Sequence, residues 1–195
     1  MSQVSKDEVV DGRRARSERS RQAIIDATLA LMEEGVLIPT AQQISDRSGV
    51  NIRSFFRHFE DMETLFATID EQIRESTEAL FLGGDRQGTL EERILHAVER
   101  RSDGYEVETN MILSTAAQLW RSQTLRKNYA RYQRGLRKDL DDWLPELKQL
   151  TRTKREAVDA VASFEMWHRL RYHQGLGKRA AIDVVVSLIN SLVEG

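Results

Sequence analysis

The stretch Thr40–Asp61, "TAQQISDRSGVNIRSFFRHFED", decides how the chain is read. Thr40 followed by Gln43 is a capping box: the threonine hydroxyl accepts from the Gln43 N–H, and the glutamine side chain reaches back to the threonine N–H. The short helix that this opens ends near Ser48, with Gly49 as the turn. A second short helix, about Asn51 to His58, carries Phe55 and Phe56, with Phe59 just beyond, and threads Arg53, Arg57 and His58 among them. Two short helices joined by a tight glycine turn make a helix-turn-helix pattern. A helix this short is not stable alone, so its neighbours must hold it. Ile44, Val50, Phe55 and Phe59 can pack inward on the preceding helix. That leaves Asn51, Ile52, Arg53, Phe56, Arg57 and His58 on or beside the outer face. Phe56 stays open between packing and an outward contact.

Around this stretch the chain reads as all-α. Residues 1–16 are expected to form a flexible arm with a basic end; Arg13, Arg14, Arg16, Arg19 and Arg21 cluster from there into the next segment, opposed only by Glu18. The first helix is expected over about Ser17–Glu34, stopped by Gly35. After the motif, a longer helix runs from about Asp61 to Phe81. "LGGDRQG" (Leu82–Gly88) is the strongest break, and the domain boundary is placed there or within the helix before it. The head is then 17–81 and a larger helical domain is 82–195. Within the latter, "TLEE" at Thr89 is a second capping box and opens a helix to about Ser102. Helices follow over roughly 105–121 and 123–143, the last closed by Pro145. "TKRE" at Thr153 looks like a third box, opening a helix to about His173, and a final helix spans about Lys178–Val193. Alternating β-type runs are nearly absent.

Composition narrows the function. The 29 Lys and Arg against 31 Asp and Glu give a net charge of −2, so the distribution of charge matters more than its total. There is no cysteine, hence no disulfide framework and no thiolate nucleophile or metal ligand. No apolar run reaches membrane-spanning length, and the polar N-terminus is not that of a signal peptide, so a cytoplasmic setting is expected. Four histidines form no nucleophile–base pattern, and an enzyme is not expected. Glu165 and His168 have the spacing of half a carboxylate-bridged di-metal site, but His96 has Glu92 at the wrong offset to supply the other half, so neither metal nor cofactor is expected. "GLGK" at Gly175–Lys178 lacks the spacing of a phosphate loop. The basic run Arg121, Arg126, Lys127, Arg131, Arg134, Arg137 and Lys138 reads first as a solvated face.

Residues 24–66, "IIDATLALMEEG…TAQQISDRSGVNIRSFFRHFEDMETLF", resemble the DNA-binding head of the tetracycline-repressor (TetR) family. The features that carry the resemblance are a first helix ending in glycine, a capped T-x-x-x-I-x-x-x-x-G-V segment, the F-F-R-H-F helix and the following L-F. They cover about a fifth of the chain. The resemblance implies that Gln42, Ile52, Arg53 and Phe56 face DNA bases and that Thr40, Ser54, Arg57 and His58 face phosphates. Two positions depart from the family's common pattern: Phe56 stands where a tyrosine is frequent, and Met62 where a lysine is frequent. The arginines of the arm are a possible compensation through backbone or minor-groove contacts.

The resemblance also implies a ligand-binding and dimerisation domain in the remainder. Helices at about 153–173 and 178–193 are apolar around most of their girth, as expected of helices buried both on their own core and on another subunit. A homodimer through these helices is therefore expected, matching a palindromic DNA site. Met111, Trp120, Tyr129, Gln133, Phe164 and His168 are candidate lining for a pocket that takes an unknown small-molecule effector. The reading is a DNA-binding transcriptional regulator, a repressor released by its effector. The alternative is a small-molecule-binding helical dimer with a weak or degenerate DNA-binding head.

Overall fold

The computed structural model describes the backbone of residues 6–194 and the side chains of residues 12–194. Among these the protein is all-α: α1 (Lys6–Glu33), α2 (Ala41–Ser48), α3 (Ile52–His58), α4 (Met62–Phe81), α5 (Leu90–Gln118), α6 (Gln123–Trp143), a 3-10 turn (Pro145–Gln149), α7 (Arg152–Val161), α8 (Phe164–His168), a π turn (Arg169–His173) and α9 (Lys178–Glu194). No helix among the described residues is long and apolar enough to cross a membrane.

Helix α1 starts at Lys6, well before the Ser17 expected. The expected arm is thus helical from Lys6 on, and its first five residues lie outside the described ones. The reason is compositional: the stretch holds no proline, and its arginines, serines and acidic residues tolerate a helix.

The chain divides into two compact units, parting within α4 between Gln72 and Ile73. One unit runs to Gln72 and takes in Asn110–Asn128; the other comprises Ile73–Thr109 and Tyr129–Gly195. Side-chain bonds explain why a later segment joins the first unit. Asn110 donates to the Glu33 carbonyl (2.6 Å) and Ser114 to the Leu37 carbonyl (2.9 Å), so the end of α5 closes over the loop after α1. The Glu63 carboxylate accepts the Thr124 backbone N–H at the start of α6. The core of this unit contains Ile24, Ile25, Ile44, Phe55, Phe59 and Leu65, all fully buried.

In the second unit, the Leu82–Gly88 segment is a packed strap. Asp139, buried, accepts from the Gly83 N–H (3.2 Å) and from Arg86 (2.6 Å). Arg86 in turn lies 5.4 Å over the Trp143 ring. The Thr89 box forms as expected: Thr89 N–H donates to Glu92 (2.8 Å) and Glu92 N–H to the Thr89 hydroxyl (3.3 Å).

Two further helix boundaries differ from expectation, each for a tertiary reason. The helix opened by Thr89 does not stop near Ser102 but continues through Gly104 to Gln118. Gly104 is a close-approach residue: a Cβ there would lie 2.5 Å from the Phe81 ring. Conversely, the expected helix 153–173 is broken. Its cap is Thr151, which accepts from the Lys154 N–H, so Thr153 is not the capping residue. At Ala162 the carbonyl leaves the helical ladder and accepts from Arg101 (3.2 Å) and from the Tyr105 hydroxyl (3.0 Å). Ser163 then caps a new helix by accepting the Met166 N–H. The last turn before Gln174 is π-helical.

Candidate nucleic-acid interface and ligand cleft

The helix-turn-helix is built from its caps inward. The Thr40 hydroxyl accepts from the Gln43 N–H (3.2 Å) while Gln43 Oε1 accepts the Thr40 N–H (2.9 Å). These bonds satisfy donors that α2 would otherwise leave open at its first turn. Gly49 takes a left-handed conformation (φ 68°) that a side chain would strain, and this turns the chain into α3. Asn51 caps α3 through its side chain, which accepts the Ser54 N–H at 2.9 Å.

The three phenylalanines separate by face. Phe55 and Phe59 are fully buried, with ring centroids 6.1 Å apart, whereas Phe56 is 51% exposed. Phe56 is both half exposed and packed, its ring edge-on to Phe55 with centroids 5.1 Å apart. Asn51, Ile52, Arg53 and Arg57 are also exposed, and Ser54 and His58 are half-buried. Gln42 and Thr40 are exposed on α2 and at its cap, with Gln42 donating to Asp46 (2.8 Å). All eight residues singled out from the sequence therefore lie on the motif.

Their electrostatics are uneven. Arg53 and Arg57 are exposed guanidiniums on α3. His58 differs: burial, then the charges of Arg57 and Arg21, pull its pKa below 6.5, and its Nε2 is buried without a hydrogen-bond partner. It is neutral near pH 7 and a weaker phosphate partner than Arg57. Arg21 belongs to the scaffold rather than to a free basic cluster. It lies 5.2 Å over the Phe59 ring and donates to Thr68 (3.3 Å). Arg13, Arg14, Arg16 and Arg19 are exposed along α1.

The second unit holds a half-open cleft of about 350 Å³. Its lining includes Arg101 and Tyr105 from α5, Gln133 from α6, Glu156 and Asp159 from α7, and Glu165 from α8. Of the six residues expected in a pocket, Gln133 lines it. Tyr129 adjoins it by donating to Glu165 (3.0 Å), and burial followed by the Glu165 charge pushes its pKa up to about 12. Phe164 is buried, edge-on to Tyr105 with centroids 5.6 Å apart, and His168 is stacked on Tyr172 at 4.8 Å. Trp120 is 77% exposed and Met111 half-buried, both in the first unit.

Sequence reading missed Arg101, Tyr105, Glu156, Asp159 and Glu165. The break at Ala162, which brings the end of α7 and the start of α8 to one cleft, leaves no local signal. Three members of the basic run have acceptors: Arg137 pairs with Glu156 (2.7 Å), Lys138 with Asp142 (3.4 Å), and Arg126 donates to the Leu119 carbonyl (2.6 Å).

No protein-family profile and no curated protein sequence matches this chain. Solved structures do resemble its fold. A transcriptional regulator of Rhodococcus sp. Rha1 (RHA1_ro04179) superposes with a TM-score of 0.64 at 17% identity, covering 92% of this chain and 96% of that one. A candidate transcriptional regulator of Streptomyces coelicolor A3(2), SCO7518, gives 0.59 at 20% identity, covering 91% and 99%.

Proposed function

We propose that the protein is a TetR-like, sequence-specific DNA-binding transcriptional regulator. One observation carries the reading. In the motif Thr40–Phe59, Phe55 and Phe59 are sealed in the core while Ile52 (37% exposed) and Phe56 (51% exposed) face outward with Arg53 and Arg57. A short helix held from behind and bearing cations and apolar groups in front suits a major groove. The fold shared with two structures described as regulators supports it.

In this reading Gln42, Ile52, Arg53 and Phe56 contact base edges, the last through a thymine methyl. Thr40, Ser54, Arg57 and His58 contact the backbone, Arg57 supplying the charge. The protein acts as a homodimer through its last helices, where Leu188 remains 39% exposed on α9, and binds a palindromic site. It is a repressor that a small-molecule effector releases: a ligand favouring a conformer with misplaced heads weakens DNA binding by the same factor.

The test is selection from random duplex DNA by the purified protein, with affinity followed against salt. Enrichment of a palindrome and a steep salt dependence are expected. Absence of enrichment with a shallow salt slope would favour the small-molecule-binding dimer with a degenerate head.

A further inference from the structure

The early turns of α1 carry charge that the fold does not use. Residues 12–19 are helical and exposed on every side, and full burial begins only at Ile24. Five arginines against one glutamate give residues 12–21 a charge of +4, in a chain whose total is −2. Asp7, Glu8 and Asp11 precede the stretch, so the positive charge is confined to it. Elsewhere in the molecule exposed cations find carboxylates: Arg47 pairs with Glu34, Lys178 with Asp103 and Arg179 with Glu99. Among the described residues Arg13, Arg14, Arg16 and Arg19 have no such partner. A helix that is polar all round needs such pairs to stand by itself. Arg13, Arg16 and Arg19, each about one turn from the next, instead repel.

Helical register fixes where this charge points. Arg21 lies 5.2 Å over the Phe59 ring and donates to Thr68, so its face of α1 is turned to the end of α3 and to α4. The charges of Arg21 and Glu18, like that of Arg57, are felt at His58 in the last turn of α3. Seven residues earlier, Arg14 falls within about 20° of the same face and about 10 Å further along the axis. Arg13 is about 80° from that face, whereas Arg16 and Arg19 are about 140° and 160° away. We infer that Arg13 and Arg14 form a second DNA contact, holding backbone phosphates that flank the base-reading helix, with Glu18 as the opposing charge on that side. The occupant is a duplex backbone, because the segment offers positive charge continuous with the motif and neither a pocket nor an apolar face. The inference rests on reading Thr40–Phe59 as a DNA-binding motif and adds to it a sequence-independent contact from another helix.

The test follows the affinity of the full chain for its selected duplex against salt. The double variant Arg13→Gln/Arg14→Gln should lower the salt slope by about 2 per bound protomer while selecting the same sequence. Arg16→Gln/Arg19→Gln makes the same change of net charge on the far side of the helix and should lower the slope by less than half as much. Glu18→Gln should tighten binding to every duplex alike. All five positions are exposed, so each variant should keep the wild-type urea midpoint. Amide hydrogen exchange over residues 13–19 should slow when the wild type binds DNA, and slow less in Arg13→Gln/Arg14→Gln. Equal slope losses in the two doubles, which would mean diffuse attraction without a seated contact, would overturn the inference, as would exchange unaltered by DNA. Failure of the regulator reading looks different: selection then enriches no duplex, and this contact falls with it. An enriched duplex that Arg13→Gln/Arg14→Gln binds with the wild-type slope removes this contact alone.

Discussion

The Glu63 carboxylate accepts the Thr124 backbone N–H at 2.8 Å, so a side chain from the first turn of α4 caps the N-terminus of α6. Ser122 does the same for Leu125 from within the local sequence (3.0 Å). The start of α6 therefore depends on a residue that follows the helix-turn-helix by only a few positions. Glu63→Ala is expected to lower unfolding free energy by about 1 kcal/mol, the usual cost of a lost cap. Urea unfolding of the variant checks this; an unchanged midpoint would mean that Ser122 suffices.

Glu63 also predicts an acid limb. Burial pushes its pKa up, but the hydrogen bonds from Thr124 and Ser122 together pull it below 4.5. A carboxylate with a lowered folded pKa contributes stability that is full above its unfolded value and lost as pH falls through the folded one. Urea midpoints measured from neutral pH to below 4.5 should fall less steeply in Glu63→Gln than in the wild type.

His168 gives the opposite group the same sign. Burial, then the His173 charge, lowers its pKa from 6.5. The unfolded chain therefore binds the proton more readily, and stability falls as pH drops below 6.5. His168→Gln should flatten the stability profile between neutral pH and the folded pKa, as followed by thermal unfolding across that range.

Gly104 sets two effects against each other. Alanine in a helix interior is normally about 1 kcal/mol better than glycine. Here its Cβ would lie 2.5 Å from the Phe81 ring, and overpacking of this kind costs about 1–3 kcal/mol. The clash wins, so Gly104→Ala should destabilise. In the Phe81→Leu background the same change should cost less, and equal cost in both backgrounds would sink the explanation.

The proposed function makes Arg57→Ala weaken every DNA sequence alike and reduce the salt slope by about 1, and makes Arg53→Ala relax preference at one base position. Phe55→Ala should instead cost about 3–5 kcal/mol of stability, because it empties a fully buried site. Gel-shift titrations at several salt concentrations, beside urea unfolding, separate the three.

What was legible in the sequence was local. The Thr40 and Thr89 boxes, the Gly49 turn and the inward placing of Phe55 and Phe59 are set by residues a few positions apart, and they appear where expected. What was not legible depends on distant partners. Gly104 resembles a helix stop until the Phe81 ring is placed against it. The segment after Thr153 resembles one helix until Arg101 and Tyr105 claim the Ala162 carbonyl. The cleft inherits that blindness, since aromatic and amphipathic residues such as Phe164 attract notice as pocket lining, whereas the fold buries Phe164 and lines the cleft with charged groups that looked like surface.

The separation of faces on α3 has an engineering consequence. Because the rings that anchor it are 0% exposed while Ile52, Arg53 and Arg57 are exposed, those three can be randomised as a library at about 0.5 kcal/mol or less per change, whereas Phe56, edge-on to Phe55 at 5.1 Å, is kept. Under the proposed function the helix would then be an interchangeable reading head, and selection of the library on new duplexes would test whether three side chains suffice to retarget it.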